Sequence, residues 1–432
     1  MIGVKGIDKR GGLCQHHTPR VLVMTSTFPR WKNDPEPAFV FELSRRLVPD
    51  FDVTVLAPRA PGSKTRETMD GLRVIRFSYF FRRWETLAMH GGGILNNLKT
   101  NPLAYLLVPF FFMGQLLAIV KLLCRERFDL IHAHWIIPQG FLTVIAGFIS
   151  RTDIPMVCTS HGGDLFALRG PFFRWLKRII INRSTAVTVV SSAMRDTVID
   201  MGVSPDKVQV ISMGVDLKNL FVPNPDVKRS DKELLFVGRL VEKKGVHILI
   251  RAMPALLKKH PDTCLSIAGT GPLEKELREL AVNLNVSAQV NFLGLVPQKH
   301  LPELYNRATI AVFPFVIAKS GDQEGFGLVQ VEAMGCGCPV VSGDVRGVHD
   351  ILIHKKTGLL VPPGKPKPMA DAIDALLSNT DLRQALAFQA RKRSVEKFDW
   401  NIVGEKYREL FKEIFHKESE ASKVNKLPRR KQ

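Results

Sequence analysis

Hydrophobic positions along the chain fall into short runs rich in β-branched residues, and stretches with helical spacing separate these runs. The runs lie at 20–26, 52–58, 72–77, 129–134, 155–160, 186–191 and 208–212. Continuous apolar runs are typical of strands buried on both faces of a parallel sheet, and the helical stretches between them supply the crossovers. The pattern predicts an α/β protein with a doubly wound parallel sheet.

The alternation is interrupted once, by a loop rich in Asn, Pro and Lys at 217–232. It restarts with apolar runs at 233–239, 263–269, 289–294, 309–315 and 339–343. A chain of 432 residues fits two domains. Because ligands bind at the carboxyl edges of such sheets, we expect two Rossmann-like domains facing a cleft. The predicted division is a flexible leader 1–19, a first domain 20–216 joined by a returning helix 399–416, a second domain 217–398, and a flexible basic tail 417–432.

One apolar segment, 103–123, is long enough to cross a membrane. The strands predicted before and after it belong to one sheet, and a membrane span would place them on opposite sides of the bilayer. We therefore favour a buried or interfacial helix. The Phe-rich run at 110–112 and the basic-aromatic sequence at 82–84 favour contact with a membrane surface. The first twenty residues lack the apolar core of a secretory signal.

The net charge of +20 favours an anionic partner, such as nucleic acid, a phosphorylated substrate or an anionic membrane surface. The sequence shows no nucleic-acid-binding module, so we expect no nucleic-acid partner. The six cysteines lack Cys-x-x-Cys spacing, which argues against a zinc ribbon and fits a reducing compartment. These features predict a cytoplasmic protein with an anionic ligand.

The sequence EGFGLVQVEAMGCGCPVV at 324–341 carries the strongest chemical pattern. Glu324 precedes a helix whose first amides, around Gly325, Phe326 and Gly327, are placed to face an anion. Glu332 lies about two turns further along the helix. Carboxylates at these positions can accept hydrogen bonds from sugar and ribose hydroxyls. The spacing taken alone favours a solvated helix face.

Three further motifs follow predicted strands. VGRLVEKKG at 237–245 places Arg239 and Lys244 where cations can neutralise a diphosphate, and AGTGP at 268–272 is a glycine turn. SHGGDLF at 160–166 places His161 and Asp164 after a strand of the first domain. Each motif is common by itself, but their shared position at strand ends indicates one cleft.

With these motifs the sequence resembles the retaining glycosyltransferases of the GT-B fold, glycosyltransferase family 4, from about residue 20 to 415. The most specific element is the Glu-x7-Glu pair, Glu324 and Glu332. HAHW at 132–135, ISMGVD at 211–216 and TGLLVPPG at 357–364 support it. The sequence at 398–415 resembles the family's last helix, which packs back onto the first domain.

The resemblance implies transfer of a sugar from a nucleotide-diphosphate sugar with retention of anomeric configuration. Arg239 and Lys244 would then bind the diphosphate, Glu324 the donor sugar, Glu332 the ribose, and His161 would lie beside the reacting carbon. The other implied donor-site positions are Gly238, Gly269, Gly271, Gly325, Phe326, Gly327 and Leu328. With two cations on the diphosphate, we expect neither a metal ion nor a cofactor. The Asp-Phe-Asp sequence at 50–52 lies where a helix turns into a strand, so it is not interpreted as a metal site.

The acceptor side departs from the family. Many members have a Gly-Gly pair after the first strand, whereas the loop at 27–43 has no glycine. Arg30, Lys32 and Asn33 are candidate side-chain donors in its place, and the alternative is a differently shaped acceptor loop. His134 and Asp164 complete the candidate acceptor side. The expected acceptor is a lipid-linked, polysaccharide or other glycan of the cell envelope, reached at the inner face of the membrane.

Two alternatives remain open at this point. One is an epimerase or a phosphorylase-like enzyme on the same fold, and the other is a basic polyanion-binding protein without catalysis.

Overall fold

The computed structural model describes residues 18–32, 34, 38–89, 93–166 and 168–425. Most of the predicted leader lies outside these residues, as does the end of the tail, 426–432. The part of the tail at 417–425 is helical, and this corrects the prediction of a flexible tail from residue 417.

The first sheet has eight strands in the order β3-β4-β2-β1-β5-β6-β7-β8. Every neighbouring pair is parallel except β3–β4. The strand order reverses at β1, because β2 lies on one side of it and β5 on the other. A crevice forms at the carboxyl end of a strand in this position. The strands are β1 (Arg20–Met24), β2 (Asp52–Pro58), β3 (Arg66–Met69), β4 (Leu72–Phe77), β5 (Leu130–His134), β6 (Met156–Ser160), β7 (Ala186–Val189) and β8 (Val208–Val210).

The second sheet has six parallel strands in the order β11-β10-β9-β12-β13-β14. Here β9 lies between β10 and β12, so its carboxyl end is a second point of reversal. The strands are β9 (Glu233–Val237), β10 (Cys264–Ala268), β11 (Val290–Gly294), β12 (Ile310–Phe313), β13 (Val340–Gly343) and β14 (Leu359–Val361).

Helices cover both faces of each sheet. Those that follow strands of the first sheet are α1 (Phe39–Arg45), α2 (Gly93–Thr100), α3 (Val108–Arg125), α4 (Phe141–Ser150), α5 (Gly163–Phe166), α6 (Pro171–Arg183) and α7 (Ser192–Ile199). The remainder are α8 (Val246–Lys259), α9 (Glu274–Asn283), α10 (Leu301–Arg307), α11 (Leu328–Gly335), α12 (Pro366–Ser378), α13 (Thr380–Phe398) and α14 (Trp400–Asn425). This arrangement confirms the predicted α/β fold with two doubly wound parallel sheets.

Alternate residues of β1 enter two separate cores. Leu22 and Met24 pack with the residues of α3, α4 and α6, whereas Val21 and Val23 pack with those of α1 and α14. Both sets are fully buried, which explains why the strand is a continuous apolar run.

The last helix, α14, returns from the second sheet to the first. Its Tyr407 hydroxyl lies 3.3 Å from the Thr159 hydroxyl of β6 and 3.0 Å from the Thr188 hydroxyl of β7. Trp400 and Phe411 are buried in the same core as β1. The helix therefore fastens the far end of the chain to the first sheet, as the family resemblance implies.

The apolar segment 103–123 forms most of a 3-10 helix (Pro102–Leu107) and all but the last two residues of α3. Within the described residues it belongs to the one helix that is long and apolar enough to cross a membrane by length and composition. Phe111 and Ile119 are nevertheless fully buried against a sheet that contains both flanking strands, β4 and β5. The segment is therefore a crossover helix of the first domain, with its inner face on the sheet.

Candidate active site

Glu324 lies in the loop between β12 and α11, and its carboxylate pairs with Lys244. The Lys244 ammonium is 2.6 Å from a Glu324 oxygen, and each side chain is only 14% exposed. Burial alone would raise the pKa of Glu324. The charges of Lys244 and Lys243, together with hydrogen bonds from Lys244 and the Phe326 amide, instead hold that pKa below its ordinary value. Glu324 is therefore an anion beside a cation at neutral pH.

A tight turn after β9 brings Lys244 to this position. Lys244 ends a 3-10 turn (Glu242–Lys244), and Gly245 follows with a φ of +67°. A Cβ atom at Gly245 would lie 1.8 Å from the Pro314 carbonyl oxygen, so only glycine lets the turn pack against the end of β12. The Lys244 ammonium then lies 4.8 Å from the centre of the Phe315 ring.

Glu332, on α11, is buried and accepts a hydrogen bond of 3.1 Å from the Tyr305 hydroxyl. Burial raises its pKa to about 7, although the Tyr305 hydrogen bond and the charge of Lys244 oppose the shift. The two glutamates of one motif thus have pKa values displaced in opposite directions, because Lys244 pairs directly with only one of them.

His161 follows β6 and faces these residues from the first domain. Its Nε2 atom lies 2.9 Å from Nδ1 of His134, and the two rings are within 5° of parallel. Stacked rings keep their atoms about 3.5 Å apart or more, so the shorter distance identifies an edge-to-edge hydrogen bond. Burial lowers the pKa of His161 to about 3 and that of His134 well below its ordinary value. Both rings are therefore neutral at pH 7, and one ring donates the N–H of this hydrogen bond while the other accepts it.

Two residues predicted for the acceptor side of the cleft, Asp164 and His134, do not line it. Asp164 is buried, and its carboxylate accepts hydrogen bonds from the Ile136 amide (2.7 Å) and the Ser160 hydroxyl (2.8 Å). His134 is also buried, at the end of β5. Asp164 ties the loops after β5 and β6 together, and His134 lies behind His161. Both residues support the cleft from beneath and do not line its surface.

The predicted loop residues Arg30 and Lys32 also lie outside the cleft lining. The Arg30 guanidinium binds the Asp34 carboxylate at 2.6 and 2.8 Å and lies 4.4 Å from the Trp31 ring centre. Lys32 is exposed. Because a carboxylate of the same loop satisfies the Arg30 guanidinium, that side chain shapes the loop. Positions 33 and 35–37 lie outside the described residues.

The glycine turns bring the ends of β9 and β10 into direct backbone contact. Gly269 has a φ of +142°, and a Cβ atom there would lie 1.9 Å from the Gly238 carbonyl oxygen. A Cβ atom at Gly271 would likewise meet the Leu240 carbonyl oxygen at 2.3 Å. Arg239 is exposed at the end of β9. These four predicted donor residues form the strand-end surface next to the cleft and are absent from its lining.

A cleft of about 740 Å³ separates the two domains at these strand ends. Of the predicted residues, it is lined by His161, Lys244, Glu324, Gly325, Phe326, Gly327 and Leu328. The sequence reasoning missed Lys243 and Arg169, which also line it. Lys243 precedes Lys244 in the motif at 237–245, and its ammonium lies 3.2 Å from the Asp322 carboxylate. Arg169, from the loop after α5, donates a hydrogen bond across the cleft to the Ser320 carbonyl oxygen.

Comparison with known proteins identifies the family. The family model for group 1 glycosyl transferases matches residues 221–393, and that for Glycosyltransferase Family 4 matches residues 38–219. An uncharacterized glycosyltransferase of Methanocaldococcus jannaschii is 31% identical over 66% of this chain and 76% of its own. The chain belongs to the family 4 glycosyltransferases. A D-inositol 3-phosphate glycosyltransferase of Corynebacterium jeikeium is also 31% identical, over 70% of this chain and 76% of its own.

One further relative of this family 4 glycosyltransferase is named for a lipid acceptor. It is the GDP-mannose-dependent phosphatidylinositol monomannoside mannosyltransferase of Mycolicibacterium smegmatis, which is 30% identical over 59% of this chain and 69% of its own.

Solved structures confirm the GT-B fold of this family 4 glycosyltransferase. Sucrose-phosphate synthase from Thermosynechococcus elongatus superposes with a TM-score of 0.72 at 22% identity, over 92% of this chain and 99% of its own. The Anabaena protein HepE in complex with UDP-glucose superposes with a TM-score of 0.66 at 20% identity, over 91% and 99%. The family models and the sequence relatives show that the protein is a glycosyltransferase, and this sets aside the epimerase, phosphorylase-like and binding-protein alternatives.

Proposed function

We propose that this enzyme transfers a sugar from a nucleotide-diphosphate sugar to a glycan or lipid-linked acceptor, with retention of anomeric configuration. The Lys244–Glu324 pair in the cleft, at the start of α11, carries the proposal. It places a cation, a carboxylate and the amides of a helix N-terminus together, as the charged and polyhydroxylated parts of such a donor require.

The diphosphate is the part of the donor that becomes more negative as the glycosidic bond breaks. Lys243 and Lys244 both line the cleft, and the first amides of α11 lie beside them. Fixed cations and amide dipoles stabilise developing negative charge most effectively in a site that excludes water. These groups can supply the stabilisation directly, and this supports a diphosphate site that functions without a metal ion.

The two glutamates suit the hydroxyl groups of the donor. Glu324 is ionised and can accept hydrogen bonds from the sugar while Lys244 bridges to the phosphate. Glu332, with a pKa of about 7, is half protonated near neutral pH, and donation from ribose hydroxyls would favour its ionised form.

The role of His161 follows from its weak basicity. A ring with a pKa of about 3 is a poor proton acceptor at pH 7, so His161 does not serve as a general base. Instead, its hydrogen bond with His134 fixes the ring where a neutral imidazole can contact the donor sugar. A neutral, weakly basic imidazole at this position suits a retaining reaction, in which the departing diphosphate itself can receive the acceptor proton.

The acceptor and the location of the enzyme are proposed from the charge and the relatives. A net charge of +20 suits work at an anionic membrane surface. The mannosyltransferase relative acts, by its name, on a phosphatidylinositol monomannoside. We therefore place the enzyme in the cytoplasm, at the inner face of the membrane, in the synthesis of cell-envelope glycans.

A donor panel with product analysis tests the proposal. Uridine, guanosine and adenosine diphosphate sugars are incubated with the enzyme and a cell-envelope glycolipid extract, with a chelator present. We expect one nucleotide family to give product, and proton NMR to show the anomeric configuration of the donor retained. Lys244→Ala should abolish transfer, whereas Lys275→Ala, on the exposed face of α9, should not. An inverted product, or full activity of Lys244→Ala, would overturn the proposal.

A further inference from the structure

Helix α3 is apolar on two opposite faces. Its inner face, including Phe111 and Ile119, is buried on the first sheet. Its outer face carries Phe110, Met113 and Leu117 at helical spacing, and each side chain is at least 50% exposed. A helix that is apolar all round is normally buried in protein or in contact with lipid. The outer face of α3 is thus an apolar surface at the exterior of the first domain.

The same surface continues into the turn that precedes α3. Leu103, Tyr105 and Leu106 of this turn are also more than half exposed. We call these six residues the apolar ridge: Leu103, Tyr105, Leu106, Phe110, Met113 and Leu117. Isolated exposed apolar residues are ordinary, but a contiguous group of this kind marks an interaction site.

Exposed aromatic and basic groups adjoin the ridge. The Phe80 ring lies 5.0 Å from that of Phe110 and 5.1 Å from that of Phe81, which joins the turn at 81–84 to the ridge. In this turn Phe81 and Trp84 are exposed, and so are Arg82 and Arg83 between them. At the other end, the outer face of α3 finishes with exposed Lys121. An apolar stripe flanked by cations and aromatic rings is complementary to an anionic lipid surface.

Helix α6 extends the same pattern across this side of the domain. It exposes Phe172 and Trp175, and the exposed Arg174 and Arg178 are interleaved with them. Helices α3, α4 and α6 all cover the face of the first sheet that Leu22 and Met24 enter. Two aromatic-basic regions therefore lie on one side of the molecule.

The cleft opens beside this surface. Tyr105 of the apolar ridge also lines the cleft. Leu98 of α2, which is not part of the ridge, lines it as well. Phe166 and Leu168, also of the first domain, line the cleft just before α6 begins. An acceptor with an apolar tail held in a bilayer could thus reach the cleft without leaving the lipid surface.

We infer that the apolar ridge and the adjoining basic-aromatic turn dock the first domain on an anionic bilayer, with the cleft mouth facing a lipid-linked acceptor. The docking surface stands on its own geometry, whereas the assignment of the acceptor rests on the proposed function. The helix lies on the bilayer and does not cross it, because its inner face belongs to the core of the sheet.

Vesicle sedimentation with the full chain tests the docking surface. The triple variant Phe110→Ser, Met113→Ser, Leu117→Ser is compared with Phe388→Ser, which alters an exposed aromatic residue of the second domain. We expect the wild type to bind phosphatidylglycerol-containing vesicles and not pure phosphatidylcholine. The triple variant should lose at least about tenfold in partitioning, and Phe388→Ser should not. Equal binding by the triple variant would overturn the inference.

Two further outcomes would also overturn it. Light scattering could show a dimer that the triple variant converts to a monomer, which would make the ridge an interface between two copies of this chain. Resistance of the wild type to alkaline extraction from vesicles would indicate insertion. Quenching of Trp84 fluorescence by brominated lipids, in contrast, is the expected result of surface docking.

The donor site is followed separately in the same variants. The triple variant should keep the wild-type response to nucleotide diphosphates and its transfer to a water-soluble acceptor, while transfer to a lipid acceptor in vesicles falls. If the protein binds vesicles but no nucleotide diphosphate, the proposed function fails and the docking surface stands. If it binds nucleotide but not vesicles, the reverse holds.

Discussion

Replacing Glu332 with Gln should make the free energy of unfolding less dependent on pH, because the wild-type carboxyl is buried with a raised pKa. The ordinary glutamate pKa is 4.5, and that of Glu332 in the folded state is about 7. Between these pH values the unfolded chain releases a proton that the folded protein retains. Rising pH therefore lowers the free energy of unfolding of the wild type. The total loss is about 3 kcal/mol, and it is complete above pH 7.

The Gln side chain does not titrate, so this loss is absent from the variant. The free energy of unfolding of the variant should therefore rise relative to that of the wild type by about 3 kcal/mol between pH 4.5 and pH 8. For domains of this size, that difference corresponds to roughly 6 to 12 °C in melting temperature. Thermal unfolding of both proteins across this range measures it, and taking the difference at each pH removes the titration of all other groups.

Glu324→Gln is the matched control, because the pKa of Glu324 is shifted the other way. Its pairing with Lys244 contributes stability that is present above pH 4.5 and is lost as pH falls through the lowered folded pKa. This variant should therefore be destabilised most at neutral pH and least in acid. If the difference between Glu332→Gln and the wild type does not change with pH, the reasoning from burial is wrong.

Three further predictions concern the surroundings of the site. The ring nitrogen shifts of His134 and His161 should stay constant from pH 8 to pH 5 in histidine-labelled protein; titration near pH 6.5 would show that the pair is not buried and neutral. Gly294→Ala should lower the free energy of unfolding by about 1–2 kcal/mol through its φ of +69° alone, since nothing lies within 4 Å of the added Cβ atom. Gly269→Ala should lower it by about 1–3 kcal/mol more, because its Cβ atom would contact a carbonyl oxygen. Equal melting temperatures for these two variants would refute this. Tyr407→Phe should lower the free energy of unfolding by about 1–2 kcal/mol in urea titrations, and no change would show that its hydroxyl does not hold α14 to the first sheet.

The strands were predictable because most of them are buried on both faces. The run at 20–26 is apolar at successive positions because Leu22 and Val23 enter different cores. Strand β3 was missed, since it is an antiparallel edge strand whose residues are exposed or half-buried. The end of α14 was missed because its last turns are polar and resemble a free tail.

Side-chain orientation was less predictable than position. Strand-end motifs predicted one shared site for His161, Lys244 and Glu324, and the structure places all three in the lining of one cleft. The sequence could not show that Asp164 turns inward to the Ile136 amide, because the contact joins loops after two different strands. Such contacts depend on tertiary packing, which no local spacing records.

The central claim is that the cleft binds a nucleotide-diphosphate sugar through Lys244 and its neighbours. Titration calorimetry with uridine, guanosine and adenosine diphosphates and their sugars, with a chelator present, tests it most directly. We predict saturable binding of one nucleotide family, weakened at least about tenfold by Lys244→Ala and unchanged by Lys275→Ala. Undiminished binding by Lys244→Ala, or equally tight binding of inorganic polyphosphate, would contradict the claim.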